Sequence, residues 1–435
     1  MKITMRTLRA MGATVLMTVL TAPAVLTAPA SHAAPPDTWA SGDPIRTWTG
    51  LAMTAVAEAG TGDAGAARTY AMVDAAMYDA VNALLPPRRR HAPAIVAPRP
   101  GAKGDPAVAA ASAAHDVLAA LYPQHSERFD AALSAAIDGA RSPGAARHGA
   151  QWGQTVAAAV LVARADDGIV GSEVQAPSTE VGEFDLPWNT QPRHLAPFVI
   201  SDPAGYVGSG PPALDSAEYA SAFAVVKELG DASRPVPGAD ATFRFWSLGT
   251  GTEQPPGAWL RVAATVSTDR SLSLATTARL FALTSMAMAD TVAPTYETKA
   301  QHHFWRPAAA IPRADTDGNT DTAPAYTWAP RGGKSGTPEY WSGHSAFSTA
   351  AATILAGFFG TDDVSFSLTT GSSGHDVRWY SSFSEAANEA GFSRVLGGLH
   401  FPFSNAAGRE AGRQIAEDVL ADVSLIPSRG GGDLN

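Results

Sequence analysis

The chain has 435 residues, of which 45% are hydrophobic and 17% charged, with a formal net charge of -10 and no cysteine. This length and apolar content indicate a folded protein of two domains or one large domain, and they exclude a disordered chain. The absence of cysteine excludes disulfides, zinc–thiolate sites, iron–sulfur clusters and a thiol nucleophile. The acidic balance argues against nucleic acid as the main partner.

The first 33 residues have the pattern of a secretory signal peptide. Three basic residues precede an apolar stretch over 11–28, and small residues at 28–33 fit a cleavage site. An uncleaved membrane anchor is the alternative reading. No later segment has the 18 uncharged apolar residues that a spanning helix requires. We therefore expect a secreted, extracellular protein with no membrane contact after cleavage, preceded by a flexible leader over 34–45.

Helical periodicity predicts an all-α fold, with a helical-bundle core of about ten helices. In the N-terminal half, 46–212, the predicted helices are 46–83, 105–121, 125–139 and 144–166. They precede a long Pro- and Gly-rich loop, roughly 167–212, that we expect to wrap over the helices. In the C-terminal half, 213–425, the predicted helices are 214–229, 270–306 with a break at Pro294, 344–359, 382–396 and 406–423. A short strand is predicted at Val364–Thr369 and a flexible tail at 426–435.

The first of three motifs pairs Lys299 with Arg306, which stands before a proline. Seven residues make two helical turns, so both cations point to one face, where they repel each other unless an anion lies between them. A solvated basic face is the alternative for this pair. His302 and His303 lie nearby and could reach a site, although a structural role is the simpler reading for each.

The second motif is Ser342-Gly343-His344, which opens an apolar helical run. Ser342 is a good N-cap, and Gly343 allows an anion to approach the free amides at the helix N-terminus. His344 would lie in the first turn, where it could exchange a proton with a ligand. An ordinary serine cap with an incidental histidine is the alternative.

The third motif places Arg394 before a Gly-Gly turn and His400 after it. Arginine is a planar bidentate donor for oxyanions, and the turn would return His400 to the same pocket. A helix C-terminus that happens to carry both residues is the alternative. Taken together, the three motifs supply three cations, a hydroxyl, a helix N-terminus and two histidines, a set that suits one tetrahedral oxyanion.

The combined pattern Lys-x6-Arg-Pro, Ser-Gly-His and Ser-Arg-x5-His resembles the signature shared by vanadium-dependent haloperoxidases and type 2 phosphatidic acid phosphatases. The chain looks most like the soluble, exported bacterial haloperoxidase-like branch, over about residues 46–422. Further positions that carry the resemblance are Met77, Asp79, 210–216, Trp259, 278–282 and 289–290. The resemblance implies paired four-helix bundles.

The resemblance also implies roles for the motif residues. Lys299, Arg306 and Arg394 would neutralise the oxygens of vanadate, or of phosphate as a competing occupant. Ser342 and the Gly343 amide would add hydrogen bonds to the same oxyanion.

The two histidines would act at opposite ends of that oxyanion. His400 would be the axial group, either a ligand of vanadium or the nucleophile that becomes phosphohistidine, and His344 would be the acid–base residue. Asp290 resembles a family acid that pairs with a site arginine, with a surface aspartate on a helix as the alternative.

Three positions depart from the family pattern. Ser404 stands where an Asp often follows the axial histidine, so a hydroxyl, Asn405 or a backbone carbonyl must replace it if that Asp orients the ring. Trp341 replaces a usual proline, and it either lines the pocket mouth or packs against the following helix. Thr337 stands where fungal chloroperoxidases have an aromatic residue near the halide, so chloride oxidation does not follow.

The same set of motif residues is compatible with two enzymatic functions and with one binding function. A vanadate-dependent haloperoxidase would oxidise halide with hydrogen peroxide to hypohalous acid, and a cysteine-free chain suits such an oxidant. A secreted acid phosphatase would hydrolyse a phosphomonoester through phosphohistidine. A non-catalytic phosphate- or vanadate-binding protein is the third hypothesis, although pure binding does not require both histidines. The first is favoured, and the sequence does not fix an oligomeric state.

Overall fold

The computed structural model describes residues 42–99, 101–374 and 376–422. The expected signal peptide, residues 34–41 of the expected leader and the expected tail lie outside these residues. In chain order the α-helices are α1 (Pro44–Glu58), α2 (Asp63–Asn82), α3 (Pro106–Leu121), α4 (Ser126–Asp138), α5 (Pro143–Ala163), α6 (Ala217–Leu229), α7 (Ala239–Phe245), α8 (Gln254–Asp269), α9 (Leu274–Asp290), α10 (Val292–His302), α11 (Pro307–Ala310), α12 (Gly343–Phe359), α13 (Phe383–Leu396) and α14 (Pro402–Ala421).

Two short antiparallel ribbons complete the described structure. Strand β1 (Val174–Gln175) pairs with β2 (Trp188–Asn189), and β3 (Phe366–Leu368) pairs with β4 (Arg378–Tyr380). Helices dominate, which confirms the all-α prediction. None of the helices in the described part of the chain has the length and apolar character needed to cross a membrane.

Local sequence signals explain where many helices begin. An Asp or Ser side chain accepts an amide hydrogen at the N-terminus of several helices, which satisfies one of the free donors there. These caps are Asp43, Asp105, Ser142, Ser216, Ser273, Ser342 and Ser382. Proline occupies the first helical position of α1, α3, α5 and α14, where its missing amide hydrogen has no partner to lose.

Helices α1, α2, α3 and α5 pack together as an N-terminal four-helix set, with α4 against α3. The closest contact joins α3 and α5, where small residues let the two backbones meet. A Cβ atom on Gly149 would lie 2.5 Å from the Asp105 carbonyl oxygen, and one on Gly153 would lie 2.3 Å from that of Ala109. Larger residues would therefore force this helix pair apart.

Helices α8, α9, α12 and α14 form a second four-helix set with the same internal contact. A Cβ atom on Gly408 of α14 would lie 2.4 Å from the carbonyl oxygen of Ser342, the cap of α12. One on Gly412 would lie 2.3 Å from that of Ala346. In each set, two glycines four residues apart on one helix thus face two carbonyl groups of the partner helix. These carbonyl groups belong to the N-cap residue and to the residue four positions after it. The N-terminus of α12, with Ser342, is held directly against α14.

The two four-helix sets share one hydrophobic core, in which α2 packs against α9. Each of these helices carries a buried aspartate that accepts three consecutive backbone amides. Asp79 binds the amides of 94–96 at 2.7–2.8 Å, and Asp290 binds those of 198–200 at 2.5–2.9 Å. Asp290 thereby fixes the long loop, residues 164–216, across the C-terminal end of α9.

The helix boundaries differ from the sequence predictions in a few places. The segment 46–83 is two helices, α1 and α2, separated at 59–62, and α7 and α8 were not predicted. The break in 270–306 falls at Thr291, not at Pro294. Pro294 lies in the first turn of α10, where proline is tolerated because those amides lack intrahelical acceptors. The predicted short strand corresponds to β3.

Candidate active site

The motif residues lie where several helix ends meet. Lys299 is in the last turn of α10, and Arg306 caps α11. His344 is in the first turn of α12, Arg394 is in the last turn of α13, and His400 lies two residues before the start of α14. Helix ends expose unpaired backbone groups, so this location supplies polar backbone together with the side chains.

Arg306 connects three of the segments that build this site. Its Nε donates to the Thr337 carbonyl oxygen at 2.8 Å and its Nη2 to the Thr337 hydroxyl at 3.2 Å. Its Nη1 donates to the Leu399 carbonyl oxygen at 2.6 Å and lies 2.9 Å from Nε2 of His400. Burial lowers the pKa of Arg306 to about 10, which still leaves the guanidinium charged at neutral pH.

Lys299 is only 5% exposed, and its ammonium group faces backbone oxygen. Nζ donates to the carbonyl oxygens of Pro338 and Glu339. Burial, together with the neighbouring charge of Arg306, holds the pKa of Lys299 well below its usual range. A bound anion would act in the opposite direction, because it favours the charged form of a nearby amine.

Arg394 has few partners for a buried guanidinium. Nη1 makes one long hydrogen bond to the Trp246 carbonyl oxygen at 3.4 Å, and the group lies 5.3 Å from the centre of the Phe243 ring. Its buried Nε has no hydrogen-bond partner in the described part of the chain. Burial and the charge of Arg306 lower the pKa of Arg394 to about 9. Arg394 is thus a buried donor with unused hydrogens.

We call Lys299, Arg306 and Arg394 the cation cluster. Within residues 42–99, 101–374 and 376–422, no carboxylate oxygen lies within 4 Å of any of these three groups. Buried charges are normally paired, since an unpaired one is costly in a medium of low dielectric constant. The cation cluster is therefore suited to an anion that fits between its members.

The N-terminus of α12 adds further donors. Ser342 is fully buried, and its Oγ accepts from the Ser345 amide at 3.4 Å and from the Ser345 hydroxyl at 2.9 Å. The amides of Gly343 and His344 have no acceptor among the described residues. Two free amides and the helix dipole make this end of α12 favourable for negative charge.

His344 is half-buried at the same helix end. Its Nε2 lies 3.2 Å from the Ser247 carbonyl oxygen, which only accepts, so Nε2 carries the ring hydrogen and the lone pair of neutral His344 is on Nδ1. Burial, followed by the charge of Arg394, holds the pKa of His344 well below its usual range. The ring is therefore neutral at neutral pH and can accept a proton.

His400 is buried between Arg306 and Glu339. A guanidinium has hydrogens but no lone pair to offer, so Nε2 of His400 must present its own lone pair to Arg306. The hydrogen of the neutral ring is then on Nδ1, which lies 3.1 Å from Oε1 of Glu339 and 3.2 Å from the Ser404 hydroxyl. Burial and the charge of Arg306 hold the pKa of His400 well below its usual range.

Glu339 is the site residue that the sequence analysis did not select. It is fully buried, and burial raises its pKa to about 7. The only sequence signal was an acid three residues before Ser342 in an otherwise aromatic and small-residue stretch. Its contact with His400 crosses 61 positions, and no periodicity could have indicated it.

Asp290 lies differently from the expectation. Both of its oxygens accept backbone amides of the long loop, so its observed partners are those amides and not a site arginine. Among the cations, Arg164 of the long loop acts on its pKa. Asp290 therefore holds the polypeptide beside α10 in place, which corrects the expected pairing.

Three neighbours of the motifs have structural contacts. Nε2 of His302 lies 3.2 Å from the Gly208 carbonyl oxygen, and Nδ1 of His303 lies 3.9 Å from Oε2 of Glu183. Both histidines therefore contact the long loop. Trp341 is buried and donates to the Thr295 hydroxyl at 2.9 Å, so it packs against α10 and does not line an opening.

Comparisons with known proteins identify a family match in the C-terminal half of the chain. Residues 279–427 match a family model described as the VCPO second helical-bundle domain. No curated protein sequence matches the chain significantly.

Solved structures extend the likeness to more than four fifths of the chain. A bacterial vanadium-dependent iodoperoxidase superposes with a TM-score of 0.73 at 21% identity, covering 87% of this chain and 96% of its own. A holo-type bacterial vanadium-dependent chloroperoxidase gives a TM-score of 0.63 at 14% identity, covering 82% and 92%. The apo-type structure of such an enzyme gives 0.65 at 14% identity, covering 83% and 94%.

The protein therefore has the helical-bundle fold of the vanadium haloperoxidases. Its residues 279–427, which contain all three motifs, match the model of the VCPO second helical-bundle domain, and the resemblance expected from the sequence is confirmed at the level of this match and of the fold.

Proposed function

We propose that this chain is a vanadate-dependent haloperoxidase that oxidises a halide with hydrogen peroxide to hypohalous acid. The observation that carries the proposal is the cation cluster: three buried cations without a carboxylate within 4 Å, beside the free amides of Gly343 and His344. The fold shared with iodo- and chloroperoxidases supports the same reaction class.

The residues present fit vanadate. The unpartnered Nε of Arg394 and the two free amides at the α12 N-terminus are donors that an oxyanion would satisfy. The Nε2 lone pair of His400 accepts a hydrogen from Arg306, and binding of vanadium by this nitrogen would replace that hydrogen bond. Lys299, Arg306, Arg394, Ser342 and Gly343 would hold the oxyanion by charge and hydrogen bonds. Phosphate has a similar shape and charge and would compete for this place.

Bound vanadate would supply Lewis acidity for the activation of peroxide. The chain would supply the rest. The cation cluster stabilises negative charge in a site that is already oriented for it, which is the main source of electrostatic catalysis. Lys299 would donate a hydrogen bond to a peroxide oxygen. His344, neutral and half-buried, would accept a proton from hydrogen peroxide at Nδ1 and donate it to the oxygen that leaves as water.

The test uses purified protein in phosphate-free buffer, loaded with vanadate and supplied with hydrogen peroxide. Iodide, bromide and chloride are offered separately, and halogenation of a dye is recorded. We expect vanadate-dependent turnover with at least one halide. Hydrolysis of p-nitrophenyl phosphate without vanadate is measured in parallel, because a phosphomonoesterase would use the same cradle.

Two variants complete this design. His400→Ala removes the proposed axial group, and Arg413→Met is the matched surface control, since Arg413 is 43% exposed in its side chain and pairs with Glu410 and Glu417. His400→Ala should abolish halogenation, and Arg413→Met should not alter it. Absence of halogenation combined with p-nitrophenyl phosphate hydrolysis would replace the proposal by the phosphatase function.

We further propose that the enzyme acts outside the cell after removal of residues 1–33, on the basis of the sequence pattern alone. N-terminal sequencing of the protein recovered from the medium of an expressing host tests this. A cell-retained protein that still carries its first residues would contradict it.

A further inference from the structure

We propose that Glu339 is the positioning residue of His400, and that its Oε1 holds the ring in the tautomer whose Nε2 lone pair faces the cation cluster. The inference rests on the proposed function for its catalytic meaning, but its central claim concerns a hydrogen position that can be measured in protein without vanadate. It also assigns the group that acts in place of the Asp expected at Ser404.

The first step is the geometry at both nitrogens of His400. Arg306 fixes Nε2 as an acceptor from one side, and Oε1 of Glu339 accepts from Nδ1 at 3.1 Å on the other. Arg306 offers only hydrogens, and Glu339, when ionised, offers only lone pairs. Both neighbours therefore favour the tautomer with hydrogen on Nδ1. A second hydrogen on the ring would point at the guanidinium of Arg306.

The second step is that the same oxygen also holds the backbone beside the ring. Oε1 of Glu339 accepts the Phe401 amide at 2.8 Å. The carboxylate therefore fixes both the side chain of residue 400 and the main chain that leads into α14. A carboxylate oxygen with two donors is well oriented, and this orientation passes to the ring.

The third step is that Glu339 is itself held in place. Its amide donates to the Phe304 carbonyl oxygen at 3.0 Å, and its carbonyl oxygen accepts from the Ser404 hydroxyl at 3.1 Å and from Lys299. The side chain is fully buried, so few other rotamers are available. Glu339 thus ties the Lys299 segment, the α12 entrance and His400 into one unit.

Ser404 is the competing candidate for this role, because its hydroxyl lies 3.2 Å from Nδ1 of His400. Its own hydrogen is directed to the Glu339 carbonyl oxygen, which leaves its lone pairs toward the ring. A neutral hydroxyl binds a ring hydrogen less strongly than a carboxylate does. Asn405 is not a candidate, because its side-chain oxygen accepts from Ser345 at 2.7 Å.

The test reads the ring nitrogens directly. Full-length protein labelled with ring-¹⁵N histidine is studied by NMR in vanadate- and phosphate-free buffer, and the His400 signals are assigned from their loss in His400→Gln. Wild type should show one neutral tautomer with hydrogen on Nδ1. Glu339→Met removes the carboxylate acceptor, and we expect the Nδ1–H population to fall below that of wild type, because only Arg306 and the Ser404 hydroxyl then favour this tautomer at the two ring nitrogens. Glu339→Gln keeps an Oε1 acceptor and should restore the wild-type tautomer.

Ser404→Ala is the matched control at the other neighbour of Nδ1. It should keep the Nδ1–H tautomer, because Glu339 is then the remaining acceptor at Nδ1, and this result can be obtained even if Glu339→Met does not fold. Loss of that tautomer in Ser404→Ala, or its full retention in folded Glu339→Met, would overturn the assignment.

A kinetic measurement separates this inference from the proposed function. In Glu339→Met we expect kcat for halide oxidation to fall by about 10–100-fold, the usual effect of removing the partner of a metal-binding histidine. Wild type with the Nδ1–H tautomer but no halide oxidation would reject the function and leave the role of Glu339 intact. Halide oxidation with an unchanged tautomer in Glu339→Met would do the reverse.

Discussion

Replacing Arg394 with methionine should raise the free energy of unfolding of the ligand-free protein and lower its affinity for oxyanions. Arg394 is buried, has one long hydrogen bond and keeps Nε unpartnered, while Arg306 repels it. Methionine is unbranched and apolar, reaches about as far as Nε of arginine and carries no charge. The two effects have opposite signs, which distinguishes a binding residue from an ordinary buried ion.

The magnitude of the stabilisation follows from the burial of the charge. Burial lowers the pKa of Arg394 from 12.5 to about 9. A difference of about 3.5 pH units corresponds to about 5 kcal/mol as an upper bound. The variant loses a hydrogen bond to the Trp246 carbonyl oxygen, about 1 kcal/mol, and the contact with the Phe243 ring, about 1 kcal/mol. We expect a net gain of about 1–3 kcal/mol in the free energy of unfolding.

The loss of oxyanion affinity in Arg394→Met follows from the hydrogen bonds that Arg394 would make to the ligand. Charge-assisted hydrogen bonds contribute about 1.5–3 kcal/mol each. Two such bonds from Arg394 to one oxyanion make a loss of about 3 kcal/mol a lower estimate, or more than about 100-fold in Kd. Isothermal titration calorimetry with vanadate, and separately with phosphate, measures the affinity, and urea unfolding of the ligand-free protein measures the stability.

Arg413→Met serves as the control for both measurements, because Arg413 lies on the surface of α14 between two glutamates. It should change the unfolding free energy by less than about 1 kcal/mol and leave Kd unaltered. An Arg394→Met protein that is less stable than wild type and binds vanadate within threefold of wild-type affinity would refute the reasoning.

Three further predictions concern packing, the long loop and pH. Gly412→Ala should lower the unfolding free energy by about 1–3 kcal/mol, because its Cβ would lie 2.3 Å from the Ala346 carbonyl oxygen; an unchanged urea midpoint would contradict this. Asp290→Asn replaces one acceptor oxygen by an amide group that faces a backbone N–H, so limited proteolysis should cleave the long loop faster than in wild type; equal rates would contradict it. The pKa of His400 is held below its usual range by burial and nearby cations, whereas the hydrogen bond to Asp116 raises that of His115. In ring NMR between pH 5.5 and 8, His115 should therefore become protonated at a higher pH than His400, and His400 should still be neutral near pH 6. Because the pKa of His400 is lower in the folded chain than in the unfolded chain, the neutral ring stabilises the fold above about pH 6.5, and this contribution is lost on acidification. His400→Gln should reduce that loss.

The helices were predictable wherever the local signals were consistent. Segments 105–121 and 125–139 carry helical periodicity and clear end signals, and they match α3 and α4 closely. Helices α7 and α8 escaped because their surroundings are rich in Gly and Pro and because α8 begins with two prolines, which suggest a loop when read alone. Their helical state depends on tertiary burial, which no local pattern reports.

The candidate site was predictable as a set of residue types but not as a network. Spacing indicated that Lys299 and Arg306 share a location, and chemistry indicated an oxyanion. The contact between Glu339 and His400 could not be predicted, because it depends on how the chain before α12 meets the chain before α14. The partners of Asp290 could not be predicted for the same reason, since a buried aspartate bound to loop amides and one bound to arginine have the same local sequence.

The repeated contact between the paired helices has a thermodynamic consequence. In the N-terminal set, the cap facing the glycine pair is Asp105, whose carboxylate itself accepts two amides of α3. In the second set the cap is the neutral Ser342, which leaves the amides of Gly343 and His344 free beside the cation cluster, where Glu339 offsets part of the positive charge. A bound anion would satisfy these amides and the unpartnered Nε of Arg394. Ligand binding should accordingly raise the stability of the second set more than that of the first.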